Sequence, residues 1–136
     1  MADASDIHGV VFKNGSATLL ARVVGADGAP LTRASIASAR YTVSLLDDRD
    51  PDAATPVLGH TAVTVSVASL IFDTLQNDDL WDVDTLGYNF KHVLNVLTHP
   101  AFAIAGRKYR IAFELTPPSG QIVLERFRVY AIYRGS

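Results

Sequence analysis

The chain has 136 residues, no cysteine and a formal net charge of −2. This length fits one domain with its own core, and the lack of cysteine excludes disulfides, thiolate metal ligands and cysteine nucleophiles. The weakly acidic balance provides no basic field for nucleic acid or an acidic membrane. The N-terminus lacks the basic and apolar regions of a signal peptide. We therefore expect one domain, residues 1–136, in the cytoplasm or in a particle assembled there, and no membrane partner.

The first forty residues predict an arm, a strand and a turn. Residues 1–15 are predicted to be an N-terminal arm. Residues 17–24 form an apolar run, which predicts a strand. The following segment, residues 25–30, contains two glycines and one proline and is typical of a turn.

Period-two alternation predicts two strands on either side of an acidic loop. Residues 40–45 and 61–67 alternate apolar and polar side chains, as half-buried strands do. The apolar members expected on the inner face are Tyr41, Val43, Leu45, Val63, Val65 and Val67. Between the two strands, residues 47–56 carry four aspartates and two prolines, which predicts a solvated loop.

The centre of the chain contains the best candidate helix and an acidic loop. Residues 68–75 are the best helical candidate, although β-branched and aromatic side chains crowd this segment. Residues 77–86 are predicted to form an ordered loop around Trp81. A further strand follows from Tyr88 to Val96, with His92 in the register of its inner face.

The C-terminal part predicts a hairpin. Residues 109–115 alternate cleanly, and residues 116–120 contain two prolines and one glycine, typical of a hairpin connection. In the last strand Phe127 takes the opposite parity to Ile122 and Leu124. We expect a β-bulge near Glu125-Arg126 to reset the face and leave Arg126 and Arg128 outside.

The chain resembles immunoglobulin-like modules in two segments. The C-terminal segment reads Phe102-x-x-x-Gly106-x-x-Tyr109-x-Ile111-x-Phe113, then a Pro/Gly turn and Phe127-x-Val129. The early segment, Leu20-x-Arg22-Val23-Val24-Gly25-x-Asp27-Gly28-x-Pro30-Leu31, is similar to the first hairpin of bacterial immunoglobulin-like repeats. The resemblance implies an all-β, Ig-like antiparallel β-sandwich of about seven strands. It also implies a tyrosine corner in which the Tyr109 phenol bonds to upstream backbone.

The last strand is predicted to form an assembly interface. Its aromatic and aliphatic side chains alternate in a way that places some of them outside the core, and an apolar strand edge is an aggregation liability unless it is covered. Basic side chains of the hairpin are expected to pair with the Asp-rich loops of a neighbouring copy. The interface candidates are Arg110, Arg126, Phe127, Arg128, Val129, Tyr130, Ile132 and Tyr133.

The loop around Trp81 is a second candidate site. A carbohydrate or protein could be recognised by Trp81, Asp82, Asp84 and Tyr88, since exposed aromatics beside polar groups mark such contacts. The aspartates of this loop lack EF-hand spacing, and a solvated loop with side-chain caps is favoured over calcium, which stays open. The four histidines lack local ligand spacing, so we expect no metal and no cofactor.

These features favour assembly over catalysis. We predict a non-enzymatic structural subunit of a larger particle, such as a phage-like capsid, tail or decoration component, or a filament. Its partners would be itself or other structural proteins, and nucleic acid is disfavoured by the net charge. The alternatives are a carbohydrate- or protein-binding module and, second, a small hydrolase, for which no Gly-x-Ser-x-Gly elbow is present.

Overall fold

The computed structural model of the protein describes residues 7–25, 28–50, 53–119 and 121–133. Its strands are β1 (Ile7–Phe12), β2 (Thr18–Ala21), β3 (Ser38–Leu46), β4 (Ala54–Pro56), β5 (Val63–Val65), β6 (Ile71–Gln76), β7 (Tyr88–Val93), β8 (Lys108–Thr116) and β9 (Val123–Ile132). One helical turn, α1 (Val67–Leu70), and one 3-10 turn (Arg33–Ser35) lie between them. Parts of four predicted segments fall outside the described residues: residues 1–6 of the arm, 26–27 of the first turn, 51–52 of the acidic loop, and Gly120.

The strands form two sheets. In the large sheet the order is β1-β9-β8-β3-β4, and β5 also pairs with β3. The small sheet has the order β2-β7-β6. The pairing is antiparallel except between β1 and β9, which run parallel. The chain is therefore all-β, as predicted, and two of its described strands, β1 and β4, come from segments predicted to be an arm and a loop.

The two sheets pack face to face over one apolar core. Alternation along β3 turns Tyr41 and Val43 inward, where they are almost completely buried. The ring of Phe90 in β7 lies 4.8 Å from that of Phe113 in β8 and 5.7 Å from that of Phe127 in β9. Full burial of a phenylalanine side chain contributes about 1.5–3 kcal/mol, so these three rings are a major link between the sheets.

The segment before β8 is held by Tyr109. Its hydroxyl accepts a hydrogen bond from the backbone N–H of Ile104 at 3.0 Å. Gly106, between them, has a φ of 83°, which glycine adopts without steric cost. The predicted bond from the phenol to upstream backbone is confirmed. The Tyr109 ring also packs edge-to-face against Phe102.

The last strand is not an edge strand. Strand β9 pairs with β8 on one side and with β1 on the other. The prediction of a free strand edge at residues 127–133 is therefore wrong, because the covering strand comes from the segment predicted to be an arm. Among the described strands, the outermost one on this side of the large sheet is β1.

Strand β9 keeps one register with β8 from Val123 to Tyr130. The bulge predicted at Glu125-Arg126 is therefore wrong. Without a bulge both arginines still lie on the outer face, while Glu125 shares the inner face with Phe127. Leu124 is 61% exposed on the outside, so the apolar residues at the start of this strand do not mark its inner face.

The segment predicted to be the best helical candidate, residues 68–75, is mostly strand in the structure. The helical turn α1 ends at Leu70, and β6 begins at the next residue. Strand β5 is shorter than predicted, and Val67 belongs to α1 instead. Within the described ranges, no helix has the length and apolar character needed to cross a membrane.

Candidate functional site

Large apolar side chains gather on the outer face of the large sheet, along β1 and β9. The register places Val10 beside Tyr130 and Phe12 beside Ile132. Val10 is 64% exposed, Phe12 55% and Tyr130 41%. Most surface leucines and valines are scattered singly, so a cluster of this kind across two paired strands indicates a contact surface.

Basic side chains continue this face onto β8. Register pairs Lys108 with Tyr130, and it sets Arg110 directly opposite Arg128. Arg126 lies one step further along β9, opposite Ala112. We call this surface the outer face of β1, β9 and β8; its members are His8, Val10, Phe12, Lys108, Arg110, Arg126, Arg128, Tyr130 and Ile132. It combines an apolar end with a basic centre.

The predicted interface residues divide between this face and the core. Phe127 and Val129 are 3% and 4% exposed and belong to the core, so their assignment to an interface is wrong. Arg110, Arg126, Arg128, Tyr130 and Ile132 do lie together on the outer face. Tyr133 follows the end of β9 and is exposed. Because side chains alternate along a strand, the register that buries Phe127 and Val129 turns their neighbours in β9 outward.

A groove of about 380 Å³ opens beside β1, between the free edges of β1 and β2. Its floor includes Val11, Leu19 and Val129, and Trp81 and Asp82 line it from the loop after β6. This groove brings the Trp81 loop next to the edge of the large sheet, a proximity with no signal in the sequence.

The 77–87 loop is held in shape by its own polar groups. Asp84 accepts hydrogen bonds from the Trp81 indole N–H at 2.9 Å and from the Gly87 backbone N–H, and it forms an ion pair with Arg22 at 2.7 Å. The bonds from Trp81 and Arg22 hold the pKa of Asp84 well below its usual range. The Asp84 side chain therefore serves as an internal anchor of the loop.

Tyr88 and Asp78 form a second anchor. The Tyr88 hydroxyl donates to an Asp78 carboxylate oxygen at 2.9 Å, and burial and this bond together raise the pKa of Tyr88. The ring of Tyr88 is almost completely buried and lies 5.7 Å from that of Trp81. Of the four predicted loop-binding residues, Tyr88 is therefore turned inward, Trp81 and Asp84 are tied within the loop, and Asp82 is exposed.

The histidines are closer in space than their sequence spacing indicates. His60 is buried; its Nδ1 lies 2.8 Å from the Tyr41 hydroxyl, and its Nε2 lies 2.8 Å from the His99 carbonyl oxygen. A carbonyl only accepts, so Nε2 carries the proton and Nδ1 accepts from Tyr41. The ring of His92 lies 5.2 Å from that of Tyr41, and burial lowers the pKa of His92. His60 thus ties a loop to β3, a role that sequence analysis missed.

No group of three or more histidine, aspartate or glutamate side chains comes together as a metal site in the described part of the chain. Comparison with protein-family models, with curated proteins and with solved structures finds no match.

Proposed function

We propose that the chain is a non-enzymatic structural subunit of a larger particle, such as a phage-like capsid, tail or decoration component, or a filament. The observation that carries this proposal is the exposed apolar cluster of Val10, Phe12 and Tyr130 on the free-edge side of the large sheet. Its partners would be copies of itself or other structural proteins of the particle.

The character of β1 supports the proposal. This strand reads IHGVVF, six residues with no lysine, acidic residue or proline. Natural edge strands usually carry such residues because they prevent unwanted pairing with other chains. An edge strand without them, flanked by an apolar face and an apolar groove, is suited to a surface that becomes covered in an assembly.

The specific type of β-sandwich is also part of this proposal. We infer an Ig-like sandwich, in which the first strand runs parallel to the last at the edge of one sheet. The pairing of β1 with β9 and the bond between Tyr109 and Ile104 both support this assignment.

The proposal assigns no catalysis to the groove. Ser16 and His8 both line it, but the Ser16 hydroxyl donates to the carbonyl oxygen of Leu94, the residue after β7, and not to an imidazole. A nucleophilic serine requires a base within hydrogen-bond reach of its hydroxyl.

Light scattering across a concentration series, with electron microscopy of the same fractions, tests the proposal. We expect oligomers, rings or filaments from the native chain, and a weaker association after Val10→Lys, because a lysine at the centre of the apolar cluster must be desolvated on contact. Leu97→Lys is the matched control, since Leu97 is 93% exposed and lies on another loop. Circular dichroism should be unchanged in both variants.

A strictly monomeric native chain at high concentration would overturn self-assembly. If the Val10→Lys chain associated as strongly as the native chain, the apolar cluster would not be the contact surface. In either case the groove beside Trp81 would become the leading candidate, as the binding site of a protein- or carbohydrate-binding module.

A further inference from the structure

Lysine and arginine side chains occupy the centre of the outer face. Lys108 and Arg110 alternate along β8, and the register with β9 sets Lys108 beside Tyr130. Lys108 is exposed and Arg110 is half-buried. This part of the face therefore presents positive charge directly beside the apolar cluster.

The tip of the 77–87 loop has the complementary composition. Asp78 and Asp84 are used within the loop, as described above, whereas Asp79 and Asp82 are exposed. Leu80 lies between these two aspartates in the sequence and Val83 follows them; their side chains are 52% and 71% exposed. The loop tip therefore presents acidic and apolar side chains together, and the outer face presents basic and apolar side chains together.

We propose that the 77–87 loop of one copy docks on the outer face of β1, β9 and β8 of a second copy. The inference rests on the proposed function and adds to it the identity of the partner and of its contacting segment. Asp79 and Asp82 would approach Lys108 and Arg110, while Leu80 and Val83 would cover the apolar cluster. Charge complementarity of this kind fixes orientation and excludes other partners.

The proposed contact joins two different surfaces of the same chain. The loop follows β6 of the small sheet, while the docking face belongs to the large sheet. A contact between unlike surfaces leaves one of each exposed on every added copy. It therefore builds a closed ring or an open filament, depending on the rotation from one copy to the next.

Two variants that are defective on opposite sides of the contact provide the test. The face variant is Arg110→Glu, and the loop variant combines Asp79→Lys with Asp82→Lys. Each should associate at least about tenfold more weakly than the native chain, because attraction is replaced by repulsion. Circular dichroism should show that both variants keep the native fold, because Arg110, Asp79 and Asp82 lie outside the buried core.

Mixing the two variants should restore association. The native loop of the face variant can dock on the native face of the loop variant, and the lysines introduced in the loop variant can pair with the glutamate introduced in the face variant, so both contacts in an alternating mixture are complementary. Sedimentation and light scattering would measure this. A control with Leu97→Lys and Thr98→Lys adds basic side chains to another exposed loop and should associate like the native chain.

The outcomes separate the inference from the proposed function. If the native chain never associates, both fail. If the native chain and both variants associate equally, or if the mixture stays monomeric, the docking of the loop is wrong while the structural-subunit proposal stands. Binding of a labelled oligothymidylate to the native chain and the loop variant, but not to the face variant, would overturn the inference and reassign the face to nucleic acid.

Discussion

Replacement of Glu125 with glutamine should stabilise the protein at neutral and alkaline pH. The register opposite Phe113 places Glu125 on the inner face of β9, where it is largely buried. Burial raises the pKa of its carboxyl from 4.5 to about 7. Because the folded state keeps the proton longer than the unfolded state, stability is fully present below the unfolded pKa and is lost as pH rises through the folded one.

The size of the effect follows from the two pKa values. Each pKa unit corresponds to about 1.4 kcal/mol, so ionisation of Glu125 should cost about 3 kcal/mol by the time the pH exceeds the folded pKa of about 7. Glu125→Gln carries no charge and avoids this cost. The variant and the native chain should therefore be nearly equal in stability at about pH 4.5 and should differ by up to about 3 kcal/mol at about pH 8.

Urea unfolding followed by Trp81 fluorescence at several pH values would measure this difference. Burial lowers the pKa of His92, so its contribution has the opposite sign and is lost as pH falls below its unfolded value. This contribution is common to both proteins and cancels in their difference. Leu124→Gln, at the neighbouring position on the outer face, is the matched control, because Leu124 is exposed. It introduces the same side chain without removing an ionisable group and should keep the native pH dependence. Parallel stability curves for Glu125→Gln and the native chain would refute the reasoning.

Two further predictions concern backbone positions. Tyr109→Phe removes the acceptor of the Ile104 N–H and should cost about 1 kcal/mol in the free energy of unfolding; a variant as stable as the native chain would contradict this. The second prediction compares Gly87 and Gly106, which both have positive φ, 104° and 83°. A Cβ added at Gly87 would lie 2.4 Å from the Gln76 carbonyl oxygen, whereas a Cβ added at Gly106 would have nothing within 4 Å. Gly106→Ala should therefore cost about 1 kcal/mol for backbone strain, and Gly87→Ala about 1–3 kcal/mol more. If urea unfolding showed the same loss of unfolding free energy for both glycine variants, the steric argument would be contradicted.

The sequence predicted strands wherever side-chain alternation is regular. Strand β8 follows the predicted parity, because its inner face is buried along its whole length. In β3 Tyr41 and Val43 are buried as predicted, whereas Leu45 is half-buried and Ser44 and Leu46, of the other parity, are buried. At the start of β9 the apolar Leu124 is outside and the charged Glu125 inside, so hydrophobicity alone gave the wrong face and led to a bulge that the structure does not have. Local composition cannot reveal such an inversion, since the register is set by pairing with β8.

The candidate site was predicted only in part. Arg126 and Arg128 were predicted to lie outside and do so, but Val10 and Phe12 were assigned to an arm. The partner of their strand lies at the other end of the chain, and one sequence carries no signal for that pairing. The prediction of a binding loop named Trp81 and Asp84 without their mutual hydrogen bond, which depends on how the loop closes in three dimensions.

The pairing of β1 with β9 has a consequence for the order in which the chain folds during synthesis. Ile7 is synthesised long before its partner Phe127. Contacts so distant in sequence form late, because the loop between them must first be ordered. The apolar cluster of the outer face is shared by both strands, so it is complete only after β9 has been synthesised. A chain that lacks β9 would lack this surface, and association through it would be limited to copies that contain both strands.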